Sequence, residues 1–312
     1  MRLDDYRTSD NVSDQRGQSF GGGGGFGGGG GMFGMLFGLV LSRFGIGGVL
    51  ILLLGYCALS MFGGGGGTGL GVGGPGTAVA PHQAAGGGAN AQQACQVDPA
   101  SRFSCQVLAN TEDTWARIFQ AQGQQYQAPG FVFYGGRGQS GCGAAQAAMG
   151  PFYCPTDSKI YLDTSFYGEL QNKFAAAGDF AQAYVIAHEV GHHIQNLTGV
   201  LQDVQRRQSG VSSREGNALQ VRVELQADCY AGVWAANAKD AQGRSAMEPG
   251  DVEEGFTAAR AIGDDTLQRQ AQGRVVPEAF THGSAEQRMQ WLRKGLESGN
   301  PAACDTFSAA RV

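Results

Sequence analysis

The run His188-Glu189-Val190-Gly191-His192 constrains this chain more than any other stretch. Two imidazoles four residues apart share one face only if the segment is helical, and from that face both can bind one metal ion. The intervening glutamate then lies beside the ion, placed to take a proton from a water molecule that the ion polarises. The flanking residues favour a helix with a buried face. Phe180 to Ala187 is apolar and rich in helix formers, and Ile186, Val190, Ile194 and Leu197 recur at three- and four-residue steps. Gly191 costs such a helix about 1 kcal/mol relative to alanine, which points to a close approach by another element. These features favour metal-assisted hydrolysis over a solvated helix with paired histidines.

Two histidines leave a catalytic zinc site one protein ligand short. A metzincin would place glycine and histidine at the positions of Gln195 and Thr198, so that class is excluded. His193 adjoins a proposed ligand and is turned roughly 100° away around the helix, which makes it a structural or rim residue. An acidic ligand fits better. The segment from Val221 to Trp234 reads as a second apolar helix on which Glu224 and Asp228 share a face. Buried carboxylates need a partner, and a metal with its imidazole ligands supplies one. Glu224 is assigned to the zinc and Asp228 to a hydrogen bond with a ligand imidazole. The bland reading, two acids on a wet helix face, stays open on spacing alone.

With these residues in place, the chain resembles gluzincin peptidases whose third ligand is the first glutamate of an E-x-x-A-D motif, here Glu224-Leu225-Gln226-Ala227-Asp228. That group includes membrane-bound heat-shock and prenyl-protein-processing peptidases. Thr281-His282-Gly283-Ser284-Ala285-Glu286-Gln287-Arg288 resembles their late motif, in which a histidine and an arginine stabilise the oxyanion beside the zinc. The resemblance implies that role for His282 and, as oxyanion support, for Arg288; an ordinary packing role for Arg288 stays open. The pattern departs at Gly283, where those enzymes carry proline. A narrower resemblance, to the bacterial neutral zinc metallopeptidase family, covers nearly the whole chain. It rests on Met1-Arg2 through Ser9-Asp10-Asn11-Val12, the glycine-rich stretch, one apolar span, Phe152-Tyr153-Cys154-Pro155, the zinc helix and Thr281-His282-Gly283-Ser284. It implies a zinc cofactor and a protein or peptide substrate.

Composition divides the chain. Gly21 to Gly31 and Gly63 to Gly74 are nearly all glycine and cannot bury a core. Between them, Phe44 to Phe62 carries no charge and approaches the ~20 residues that span a bilayer as a helix. A retained signal anchor is favoured over a cleaved signal peptide because no cleavage site is evident. Arg2, Arg7, Arg16 and Arg43 precede the span and no further cation follows until Arg102, which orients the N-terminus to the cytoplasm. The expected organisation is a disordered cytoplasmic segment (1–31), a membrane segment (32–62, span about 44–62), a glycine/alanine-rich linker (63–94) and a metallopeptidase domain (95–312). That arrangement places the protein in a bacterial inner membrane with its catalytic domain outside the cytoplasm. Cys57 lies in the apolar span. Cys95, Cys105, Cys142, Cys154, Cys229 and Cys304 form an even set suited to an oxidising compartment. Sequence-local pairing gives Cys95–Cys105 and Cys142–Cys154, with Cys229–Cys304 tying the tail to the second helix; a free Cys229 is the alternative. A net charge of −5 leaves no footprint for nucleic acid.

The fold class expected is α+β: a mainly helical zincin-like domain with a small sheet, preceded by a glycine-rich segment and one transmembrane helix. Asp113 to Gln120 reads as helix, and Gly130 to Tyr134 and Lys159 to Leu162 read as strands. In zinc peptidases of this type an edge strand before the active-site helix receives extended substrate, and Ile160 to Asp163 is its candidate here, with an ordinary internal strand equally open. The polar stretch Gln202 to Gly216 is either a lid or a plain loop. The expected chemistry is peptide-bond hydrolysis at zinc held by His188, His192 and Glu224, with Glu189 as general base and His282 at the oxyanion. Two other readings stay open: a membrane-tethered binding or scaffold protein with structural zinc, and a zinc hydrolase of a non-peptide amide in the cell envelope.

Overall fold

The computed structural model describes residues 1–18 and 87–312. Asp98 starts the first long helix: its carboxylate accepts the Ser101 N–H, while Pro99 takes the first helical position, where a missing N–H costs nothing. The result is α2 (Pro99–Ala121), preceded by the shorter α1 (Gly87–Cys95). The extended segments are β1 (Val12–Asp14), β2 (Gly130–Phe133), β3 (Arg137–Ser140), β4 (Gly143–Gln146), β5 (Phe152–Cys154) and β6 (Lys159–Leu162). Four of them form one sheet in the order β1-β2-β6-β5, and β3 and β4 make a separate hairpin. β1 and β6 flank β2 in parallel, with Val12 and Ile160 both opposite Phe131, and β5 lies antiparallel to β6.

The central strands are apolar on both faces, as strands covered on both sides must be. Phe131, Phe133, Ile160 and Leu162 enter the main core with the helices, while Val132, Tyr134, Cys154 and Tyr161 meet Ala145 of the hairpin in a second cluster. The remaining helices are α3 (Ser165–Phe174), α4 (Asp179–Leu197), α5 (Val200–Gln208), α6 (Ser213–Asn237), α7 (Asp251–Ala261), α8 (Asp264–Gln272) and α9 (Ala285–Ser298). Reciprocal capping boxes, Ser212 with Glu215 and Ser284 with Gln287, start α6 and α9. α4 and α9 both pack on α6, and small residues set how closely. A Cβ at Gly191 would fall 2.9 Å from the Cα of Ala227, and one at Gly232 or Gly295 would overlap the facing backbone. The close approach expected at Gly191 is therefore made to α6.

The three disulfides are those expected from sequence: Cys95–Cys105, Cys142–Cys154 and Cys229–Cys304. They join α1 to α2, the hairpin to β5, and α6 to the C-terminal segment. Two other expectations need correction. Ile160 lies in an internal strand, so the sheet edge next to the zinc helix is β5. Helix α2 is also far longer than the stretch from Asp113 to Gln120.

The largest correction concerns the N-terminus and the membrane. The expected transmembrane helix is not supported: among the described residues no helix is long and apolar enough to cross a membrane, and residues 44–62 lie outside the described residues. The expected topology also conflicts with the sheet. It would hold residues 12–14 and 131–133 on opposite sides of a bilayer, whereas they pair as neighbouring strands. Residues 1–18 and helix α1 belong to the domain expected to begin at Cys95.

A buried polar lock fastens that segment. The Glu112 carboxylate, on α2, accepts hydrogen bonds from Ser9 Oγ (2.5 Å), Asn11 Nδ2 (2.8 Å) and Arg7 Nη2 (3.1 Å). Gln106 donates to the backbone carbonyls of Asp4 and Tyr6. Glu112→Ala leaves the buried Ser9 hydroxyl without its acceptor, a loss of about 1–3 kcal/mol. The expected outcome is a lower urea midpoint with an unchanged m-value, read by circular dichroism.

Candidate metal centre

Helix α4 carries His188 and His192 one turn apart, their rings at 88° with centroids 4.8 Å apart. Helix α6 brings Glu224 against them because Gly191 lets the two backbones approach at Ala227, one turn along from Glu224. Glu224 Oε2 lies 3.2 Å from His188 Nε2 and 3.5 Å from His192 Nε2. Tetrahedral zinc with bonds of about 2.0–2.1 Å requires ligand atoms roughly 3.3 Å apart, so the three donors fit that ion. His188 and Glu224 are buried, and His192 is the more open of the two histidines.

Each donor is held by a further partner. His188 Nδ1 lies 2.8 Å from Asp228 Oδ1, which also accepts from Tyr184 Oη (2.6 Å) and Arg288 Nη2 (2.8 Å). Arg288 Nε reaches the other Asp228 oxygen at 2.9 Å. His192 Nδ1 faces the neutral amide oxygen of Gln195 at 2.9 Å, and Gln195 is itself fixed by donating to Val223 O and Gln226 Oε1. Gln220 Nε2 donates to Glu224 Oε1 at 3.0 Å. Thus Nε2 of both imidazoles is left facing the metal position, as ligation demands.

The electrostatics follow from burial and partners. Burial disfavours the His188 cation, but Asp228 and Glu224 outweigh it and raise its pKa to about 9. Burial alone would raise the Glu224 pKa; the two histidines overcome it and hold the carboxyl well below its usual range. Burial pushes the Glu189 pKa up, against the His192 and His188 charges and a backbone hydrogen bond from Tyr153 of β5. Glu189 is buried but is not among the converging donors. Both histidines and Glu224 bear on its ionisation.

Arg288 is not placed where the resemblance put it. Its guanidinium is buried on the Nδ1 side of His188, bound to Asp228 and Tyr184, so the imidazole separates it from the metal position. His282 does reach the site region: it and Glu224 each shift the other's ionisation. Gly283 has φ of +94°, which proline cannot adopt, and this accounts for the departure from the gluzincin motif at that position. His193 is a structural residue as expected: Nε2 donates to Gln127 O (2.7 Å) and Nδ1 accepts from Tyr153 Oη (3.0 Å).

The family model described as "Putative neutral zinc metallopeptidase" matches residues 1–307. The chain belongs to this family. The uncharacterized protein YpfJ of Escherichia coli K12 is 52% identical over 210 residues, covering 67% of this chain and 72% of the relative. The uncharacterized protein Rv2575 of Mycobacterium tuberculosis H37Rv is 44% identical over 223 residues, covering 68% and 73% respectively. No solved structure matches the chain. The family name implies zinc, in agreement with the nitrogen and oxygen donors of His188, His192 and Glu224.

Two partners escaped the sequence reading although a signal existed. Tyr184 and Gln195 lie four before His188 and three after His192, on the faces those ring nitrogens address.

Two outcomes follow for metal binding. Arg288→Ala leaves the Asp228 charge buried without its cation; zinc affinity should fall roughly 10- to 100-fold, read by chelator competition. His188 must lose its proton to ligate, and before metal binds that proton is held up to about pH 9. Apparent zinc affinity should therefore fall steadily as pH drops below about 9, in the same competition assay.

Proposed function

We propose that this chain is a zinc metallopeptidase that cleaves peptide bonds in extended polypeptide segments, with Glu189 as its general base. The observation that carries the reading is the placement of Glu189. Three donors converge on the metal position, while Glu189, a further buried acid with a raised pKa, stands aside from them. A structural zinc site closes with four protein ligands and has no use for such a group. That difference argues against the scaffold alternative.

The residues then have distinct tasks. His188, His192 and Glu224 would hold the ion, which supplies Lewis acidity to a water molecule and to the scissile carbonyl. Glu189 takes a proton from the attacking water and later passes one to the departing amine. The His282 ring meets the negative charge that develops on the carbonyl oxygen. β5 offers its outer backbone edge to an extended peptide, so that hydrogen bonds along the strand align the scissile bond with Glu189. Asp228 and Gln195 keep the two imidazoles from turning.

Glu189→Gln in the full chain should retain zinc and lose cleavage of casein or a mixed peptide pool by roughly 10²- to 10⁴-fold. Full zinc content with no cleavage of any peptide by the unaltered protein would contradict the peptidase reading; hydrolysis of a non-peptide amide under those conditions would replace it.

A further inference from the structure

The late motif leaves unexplained how a histidine on a loop could be held still enough to stabilise charge. The structure supplies a group for this on another element. Asp264, the first residue of α8, is buried, and its carboxylate is entirely engaged by the loop. Oδ2 accepts the backbone N–H groups of Thr281 (2.6 Å), His282 (2.7 Å) and Gly283 (3.2 Å). Oδ1 lies 3.1 Å from the ring Nδ1 of His282. The Asp264 backbone N–H in turn donates to Gly283 O at 2.9 Å, so the loop is bound in both directions. His282 Nε2 has no hydrogen-bond partner among the described residues, while the ring interacts electrostatically with Glu224.

We infer that Asp264 is a positioning residue for His282: it fixes the loop backbone and accepts the Nδ1–H, which favours the ring protonated on both nitrogens and aims its Nε2–H at the reacting carbonyl oxygen. The role rests on the peptidase reading of the metal centre. A carboxylate suits it because only an acceptor on both oxygens can serve three backbone amides and a ring N–H together. The raised pKa of His282, in which Asp264 and Glu224 outweigh burial, agrees with a ring protonated on both nitrogens. Asp265 assists from the next position by accepting the Ala285 N–H at 2.7 Å, which anchors the start of α9.

Two readouts test the inference. In the full chain labelled with ¹⁵N-histidine, His282 should show a protonated, hydrogen-bonded Nδ1, and Asp264→Asn should abolish that signal. A wild-type ring without the Nδ1 proton would overturn the inference and needs no variant to fold. In peptide cleavage, Asp264→Asn should lower kcat roughly 10- to 100-fold with zinc content and KM nearly unchanged. His282→Ala should lower it by about 10²- to 10³-fold, and adding Asp264→Asn to that variant should cost little more. Full additivity of the two substitutions, or zinc loss from Asp264→Asn, would overturn the role. A wild type that cleaves nothing would instead sink the peptidase reading, with the ring spectrum still deciding whether Asp264 holds His282.

Discussion

The Asp228 carboxylate is the interaction on which this architecture turns. It is fully buried, and a charge in that position is tolerable only when paired and hydrogen-bonded. Four contacts meet the need: the His188 ring, the Tyr184 hydroxyl and two nitrogens of Arg288. Those partners come from α4 and α9, while Asp228 itself is on α6, so one carboxylate ties together the three helices around the metal centre. The opposing charges hold the Asp228 pKa down to about 2 although burial works against ionisation. The same group fixes which nitrogen of His188 faces the metal, so packing and chemistry share one constraint.

Close backbone approach is the second constraint. Gly191 lies between the two ligand histidines, at the point where α4 meets Ala227 of α6. A larger residue would force the helices apart and withdraw Glu224 from the imidazoles. Gly232 and Gly295 do the same where α9 meets α6, which brings Arg288 deep enough to reach Asp228. Helix propensity is given up at these sites in exchange for geometry.

Much of this was legible in the sequence, and the parts that were not share a cause. His188, His192, Glu224 and Asp228 could be read because helical spacing alone fixes which residues share a face. Cys95–Cys105 and Cys142–Cys154 followed from proximity along the chain, which left Cys229 and Cys304 to pair. The role of Arg288 stayed open because the side of the imidazole it occupies depends on how α9 packs, which no spacing encodes. Asp264 was missed because it acts on a loop 17 to 19 residues away in the chain. Whether Ile160 lay in an edge or an internal strand stayed open because strand order depends on topology, and a three-residue β5 gives a weak pattern. Residues 1–18 were set apart by the glycine tract that follows them, yet Val12 and Glu112 bind them into the domain. The expected transmembrane helix rested on apolar length in residues outside the described ones, and the β1–β2 pairing contradicts the topology built on it.

The central claim is an open metal centre built from two imidazoles and one carboxylate. X-ray absorption at the zinc edge of the purified full chain tests it most directly. The account predicts two imidazole nitrogens and oxygen donors at about 2.0–2.2 Å, with no sulfur. Sulfur in the coordination shell, or a third imidazole closing it, would contradict the account.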